Sequence, residues 1–153
     1  MITKIFIYNA QDTDPHENLA AEKVLMDALG PGEAMLYLWQ NLNTVVIGRN
    51  QNAWLECRTS LLEEEGGKMA RRLSGGGAVY HDLGNLNYSF ITDAADAERL
   101  TMEQFTLPVV KALRKLGLDA EASGRNDILV SGRKVSGTAQ RLYRQRILHH
   151  GTM

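Results

Sequence analysis

The stretch Arg71-Arg72-Leu73-Ser74-Gly75-Gly76-Gly77 constrains this chain more than any other. Three consecutive glycines carry a high chain-entropy cost and offer no side chains to pack, so they suit neither a helix interior nor a central strand. They predict a loop between two short elements. Such a loop lets backbone N–H groups approach a ligand without Cβ atoms in the way, and successive N–H groups can surround phosphate or carboxylate oxygens. A neighbouring arginine would add charge-assisted hydrogen bonds. Tyr80 and His81 just beyond would supply an aromatic wall and a polar contact. A plain flexible hairpin connection looks the same at this level. No Gly-Lys-Ser/Thr follows the run, and its spacing is not that of a dinucleotide fingerprint.

Around this loop the pattern is one of short strands interrupted irregularly by helices. Ile2 to Tyr8 alternates as a strand. Asp14-Pro15 reads as an N-cap with proline at the first helical position, opening a helix to about Leu29 with Ala21, Val24, Leu25 and Ala28 at helical spacing. Ala34 to Trp39 and Thr44 to Ile47 read as a hairpin turned at Asn41-Leu42-Asn43. Asn52 to Glu65 reads as one acidic helix anchored by Trp54, Leu61 and Leu62, with Glu63 to Glu65 as a solvated face. Met69 to Leu73 is a brief strand. Ala78 to Tyr80 and Leu86 to Ile91 read as a second hairpin, turned at Asp82 to Asn85. Thr101 to Gln104 fits a capping box. The helix it opens carries Val109, Val110, Leu113 and Leu116, and Pro108 is expected to kink it or delay its regular part. Leu118 to Ala122, Asp127 to Val130, Lys134 to Ala139 and Ile147 to His150 complete the strands. The pattern predicts one α+β domain with a mainly antiparallel sheet.

Lys134 falls in an alternating segment whose hairpin Asn126 and Asp127 open. If Val135 faces the core, Lys134 faces the other side of the sheet. A lysine there is a compact charge suited to a carboxylate or an α-phosphate. Asp127 could hold a metal ion or position an amine. A solvated strand lysine and a turn aspartate would read the same way.

Bulk properties narrow the setting. The formal net charge of −1 gives no global attraction to nucleic acid or anionic lipid. No apolar stretch is long enough to span a bilayer. Cys57, the only cysteine, forms no intrachain disulfide, which fits a reducing cytosol. The four histidines and Cys57 show no zinc spacing. His149 and His150, adjacent on a strand, are expected on opposite faces.

Five ordered blocks carry a resemblance: Thr44 to Arg49 (TVVIGR), Arg71 to Asn85 (RRLSGGGAVYHDLGN), Glu121 to Asp127 (EASGRND), Arg133 to Gln140 (RKVSGTAQ) and His149 to Thr152 (HHGT). Together they resemble the lipoate–protein ligase family, which shares a fold group with biotin protein ligases and class II aminoacyl-tRNA synthetases. The resemblance implies a mainly antiparallel or mixed sheet with flanking helices. It also implies that residues 1–153 form the front part of a catalytic domain whose C-terminal remainder and accessory domain are absent.

The implied activity has two half-reactions. Lipoate's carboxylate attacks the α-phosphate of ATP, with Mg2+, to give lipoyl-adenylate. A lysine of an acceptor lipoyl domain, of a 2-oxoacid dehydrogenase E2 subunit or the glycine-cleavage H protein, then takes the lipoyl group. The resemblance places the ligand loop on Arg72, Gly77, Ala78, Val79 and Tyr80; the rest of the glycine run, Ser74, Gly75 and Gly76, is expected to complete the ATP and lipoyl-adenylate site, with Asn126 and Asp127 on the nucleotide side. Lys134 falls at the catalytic position. Leu19, Trp39 and Val79 are expected to line the lipoyl slot, with His81 and His150 at its border. A cytoplasmic enzyme follows, with neither nucleic acid nor membrane as partner.

Three rivals remain at this level. An octanoyl- or lipoyl-transferase of the same fold would need an activated cysteine, and Cys57 sits on the acidic helix beside Glu56. Biotin ligation would call for a more basic loop than RRLSGGG. A lipoate- or nucleotide-binding module would bind without turnover.

Overall fold

The computed structural model describes residues 2–94, 101–124 and 126–153. Ten strands and four helices follow in the order β1 (Lys4–Asn9), α1 (Pro15–Ala28), β2 (Glu33–Trp39), β3 (Thr44–Ile47), α2 (Ala53–Glu56), α3 (Thr59–Glu64), β4 (Lys68–Arg71), β5 (Val79–His81), β6 (Asn87–Asp93), α4 (Met102–Lys115), β7 (Ala120–Ser123), β8 (Asp127–Val130), β9 (Arg133–Tyr143) and β10 (Arg146–Thr152). A seven-stranded sheet runs β1-β2-β6-β10-β9-β8-β7, and a small sheet runs β4-β3-β5. Among the described residues only the β1–β2 and β3–β4 pairings are parallel. The α+β expectation with a mainly antiparallel sheet therefore holds.

The first two predicted hairpins, Ala34 to Ile47 and Ala78 to Ile91, are absent. β2 pairs with β1 and β6, whereas β3 pairs with β4 and β5 in the other sheet. The reason lies in the connection. Asn41 is fully buried and accepts a hydrogen bond from Asn18 Nδ2 at 3.1 Å, and Leu42 N–H donates to Thr13 O. Polar groups that read as a solvent-facing turn instead bind α1 and carry the chain from one sheet to the other. Asp82 to Asn85 does turn, with Asn85 N–H donating to Asp82 O, but it likewise joins β5 of the small sheet to β6 of the large one.

α1 begins as expected: Asp14 accepts from the His16 and Glu17 N–H groups and Pro15 stands in the first turn. Its buried stripe is not the predicted one. Asn18, Glu22 and Met26 are buried, and Val24 is exposed. The predicted acidic helix is two helices, broken at Cys57-Arg58. Trp54 is 81% exposed and anchors nothing, and Leu62 alone of its expected anchors is buried. α4 runs on through Pro108; Thr101 is its N-cap but makes no side-chain cap bond, and Leu116 is exposed. The late hairpin holds: Ser131 and Gly132, both at positive φ, turn β8 onto β9.

Two apolar clusters cover the two faces of the large sheet. Met26, Leu29, Met35, Tyr37, Trp39, Ile91 and Leu148 pack between α1 and one face. Tyr88, Val109, Val110, Leu113, Ala120 and Ile128 pack between α4 and the other. Alternation along β10 sends Leu148 and His150 to the first face and His149 to the second.

Candidate active site

The glycine run is held by its two arginines. Arg71 donates through Nη1 to the carbonyls of Gly48, Arg49 and Gln51 at 3.0, 3.2 and 2.7 Å. Arg72 donates through Nη2 to Gly75 O and Gly77 O at 2.9 and 2.7 Å, through Nη1 to Val46 O at 3.1 Å, and through Nε to Ser74 Oγ at 3.2 Å. Sequence reasoning assigned an arginine to a ligand's anion. The structure instead commits four of the five guanidinium donors of Arg72 to shaping the loop. Gly76 has φ +101°, and a Cβ there would lie 2.8 Å from Arg72 Nη2. Gly48 is equally constrained, since its Cβ would fall 2.2 Å from Gly76 O.

This loop walls a cavity of about 500 Å3 between the small sheet and the β9–β10 end of the large one. That volume suits a small-molecule ligand. The wall brings together Trp39, Arg72, Gly76, Gly77, Val79, His81, Asn126, Lys134 and His150, all named from sequence. It also includes Asn85, Asn87, Ser136, Thr138 and Thr152, which sequence reasoning missed. Only the pairing of β10 with β6 on one side and with β9 on the other makes Asn87, Ser136, Thr138 and Thr152 neighbours, and no local spacing announces it.

Other named residues lie elsewhere. Leu19 packs into the α1 core cluster and is not on the cavity wall. Ser74, which is buried, and Gly75, which is exposed, are not on the wall. Ala78 and Tyr80 are off it as well; Tyr80 is half exposed and donates to Asn43 Oδ1 at 3.0 Å. Alternation explains the last case, because Val79 and Tyr80 are successive residues of one strand.

Lys134 reaches the cavity through an irregularity of the sheet. Ile128 pairs with Ser136 but Leu129 pairs with Lys134, so Val135 is the extra residue of a bulge. The alternation rule applied across Val135 therefore misjudges the hairpin, since both Lys134 and Val135 contribute to the wall. Lys134 Nζ lies 2.9 Å from Asp127 Oδ1. Gly137 lies beneath this pair; a Cβ there would stand 3.4 Å from Lys134 Nζ. Asn126 brackets the same corner, with its O accepting from Thr138 N–H at 2.8 Å. Arg125 of the EASGRND block lies outside the described residues. Among the described residues no three His, Cys, Asp or Glu side chains cluster to hold a metal ion.

A buried polar chain backs the cavity. Trp39 Nε1 donates to Ser89 Oγ at 3.0 Å, and Ser89 Oγ donates to Glu22 Oε1 at 2.5 Å. His150 Nδ1 lies 2.9 Å from that same oxygen, and His150 Nε2 lies 2.6 Å from Ser74 Oγ. Glu22 is fully buried. Nearby, His81 sits between Asn41 Nδ2 and Thr152 Oγ1, both at 3.2 Å. Burial, then the charge of Arg72, pulls the His81 pKa down to about 4, so its imidazole is neutral near pH 7. Burial lowers the Arg72 pKa as well.

Cys57 ends α2 at its C-cap and does not line the cavity. Among the described residues no helix is long and apolar enough to cross a membrane.

The small sheet, the arginine-clamped glycine loop and the lysine hairpin define one class of catalytic domain. Residues 14–153 match the lipoyl protein ligase A/B catalytic domain, and the chain belongs to that family. Lipoate-protein ligase LplJ of Bacillus subtilis (strain 168) is 49% identical over 149 residues, which are 97% of this chain and 45% of the relative. The chain thus spans less than half the length of that relative. A solved bi-partite lipoate protein ligase of Thermoplasma acidophilum, described with its E2 lipoyl domain, matches the whole chain and 61% of its own at TM-score 0.86 and 28% identity. A solved lipoate-protein ligase A bound with ATP matches the whole chain and 66% of its own at TM-score 0.84 and 27% identity.

Proposed function

We propose that this chain supplies the acyl-adenylate site of an ATP-dependent lipoate–protein ligase. The observation that carries the reading is the convergence of Lys134, Arg72, Gly76, Gly77 and Val79 on one cavity that Trp39, His81 and His150 also line. Lipoate's carboxylate and the α-phosphate repel each other, and bringing them together needs a cation between them. Lys134 is placed to do that, and its charge would then stabilise the in-line transfer, where electrostatic positioning dominates. Asp127 holds the ammonium until substrate oxygens replace it. Trp39 and Val79 give the dithiolane and alkyl arm an apolar wall.

Asp127 is the carboxylate paired with Lys134 at that corner. Mg2+ characteristically binds through one or two carboxylates plus substrate phosphates, so it would enter with ATP and Asp127 would be its protein contact. The second half-reaction would deliver the lipoyl group to a lysine of a lipoyl domain, as in 2-oxoacid dehydrogenase E2 subunits or the glycine-cleavage H protein, in a cytoplasmic setting. The names of the matched relatives support the lipoate, ATP and E2 lipoyl-domain parts of this reading: a lipoate-protein ligase, one bound with ATP, and one described with its E2 lipoyl domain. The ATP-free thioester alternative would need an activated cysteine at the cavity, and Cys57 does not line it.

The test is mass detection of lipoyl-adenylate formed from lipoate and ATP by the full-length protein. Lys134→Ala is expected to lower its formation roughly 100- to 1000-fold, the scale of losing one electrostatic contact in the transition state. Normal adenylate formation by that variant would overturn the assignment of Lys134.

A further inference from the structure

We infer that Glu22 is a positioning residue for the glycine loop, acting through the tautomer of His150. The donor logic runs from one end of the buried chain to the other. An indole N–H donates only, so the bond from Trp39 leaves the single proton of Ser89 for Glu22 Oε1. That oxygen is an acceptor towards Ser89, and His150 Nδ1 faces it at 2.9 Å, so Nδ1 carries a proton. In the neutral imidazole Nε2 is then the acceptor, and the Ser74 hydroxyl donates to it at 2.6 Å. Ser74 Oγ in turn receives Arg72 Nε, and the rest of that guanidinium holds the carbonyls of Gly75, Gly77 and Val46.

A carboxylate on α1, shielded from solvent and off the cavity wall, thus orders the loop that forms the wall. Without an acceptor at position 22, His150 is free to protonate Nε2. The Ser74 hydroxyl then turns away from His150. Its next acceptor is Gly75 O, 3.4 Å away, which Arg72 Nη2 already occupies. Two donors then compete for one loop carbonyl, and the geometry of the glycines loosens.

The binding consequence rests on the acyl-adenylate reading of the cavity, whereas the tautomer does not. The first measurement therefore needs no ligand: side-chain 15N shifts of histidine-labelled protein near neutral pH. The expected result is His150 with Nδ1 protonated and Nε2 bare; the opposite tautomer overturns the inference. The second is calorimetric binding of a non-hydrolysable sulfamoyl analogue of lipoyl-adenylate. Glu22→Gln keeps an acceptor oxygen and is expected to bind within about threefold of the unaltered protein. Glu22→Leu is expected to lose about tenfold or more, the scale of a buried hydrogen-bond partner removed, with a mixed His150 tautomer.

Unaltered binding by a folded Glu22→Leu variant overturns the inference. Should that variant not fold, Ser74→Ala breaks the chain at its other end. It is expected to lose the same affinity while His150 keeps its Nδ1 proton, and undiminished affinity overturns the positioning role. If the unaltered protein does not bind the analogue, the acyl-adenylate reading fails, and the tautomer measurement still decides the hydrogen-bond chain.

Discussion

His149 and His150 are consecutive residues of β10, both buried, in unlike surroundings. His150 faces α1 and is bonded at both ring nitrogens, to Glu22 and Ser74. His149 faces α4, stacks on Phe105 with ring centroids 5.0 Å apart at 14°, and holds only Gln140 Oε1, at 3.2 Å through Nδ1. The first face runs from an apolar cluster to a polar network that ends at the glycine loop. The second is mostly apolar. One sheet thus has a face that chiefly stabilises and a face that chiefly positions, a division that single substitutions can separate.

The largest effect expected from a single truncation is on the stabilising face. Phe105→Ala removes the ring stacked on His149 and tilted against Phe90 and should cost about 3 kcal/mol of folding stability, the low end for such truncations because Phe105 keeps a little exposure. Urea unfolding measures it. The folded fraction should bind the adenylate analogue with undiminished affinity. A parallel loss of affinity would mean that the two faces do not act separately.

Next is a pH effect of two histidines, His149 on the second face of the large sheet and His81 on β5 of the small one. Burial brings His149 down to about 4, as it does His81 beside the cavity. Their unfolded value is about 6.5. Between those limits the unfolded chain binds protons that the folded chain refuses, so stability is full above pH 6.5 and falls as pH drops towards 4. Each histidine contributes on the order of 3 kcal/mol to that fall, a large share of a typical domain's stability. His149→Phe should flatten the fall of the urea midpoint by about half while leaving the share of His81. An unchanged slope would show that His149 is not protonated on unfolding in this range.

The contrast between the faces also explains what the sequence could and could not disclose. Strand positions were legible because period-2 alternation is local, and the glycine loop because three glycines admit few other uses. The positioning face was not. Asn18 and Glu22 lie on the buried stripe of α1, where an apolar pattern is sought, and their partners Asn41, Ser89 and His150 are distant in sequence. Lys134 was found by resemblance, whereas the bulge at Val135 that turns it into the cavity has no local signature. Asn87 and Thr152, 3.0 Å apart on the cavity wall, depend wholly on the pairing of β6 with β10.

The smallest expected effect falls on neither face. Trp54 and Leu55 are both more than four-fifths exposed on the four-residue α2, so neither can be the apolar anchor that their hydrophobicity suggests. A large apolar residue with this exposure has lost little water contact on folding, so truncation removes little transfer free energy. Trp54→Ala should therefore shift stability by no more than about 0.5 kcal/mol. The Asn52 cap, which accepts from the backbone N–H of residue 54, would survive it. Urea unfolding of the single variant measures this directly. A loss comparable to that of Phe105→Ala would mean that α2 packs against part of the protein in solution, and that the stabilising surface extends beyond the two sheet faces.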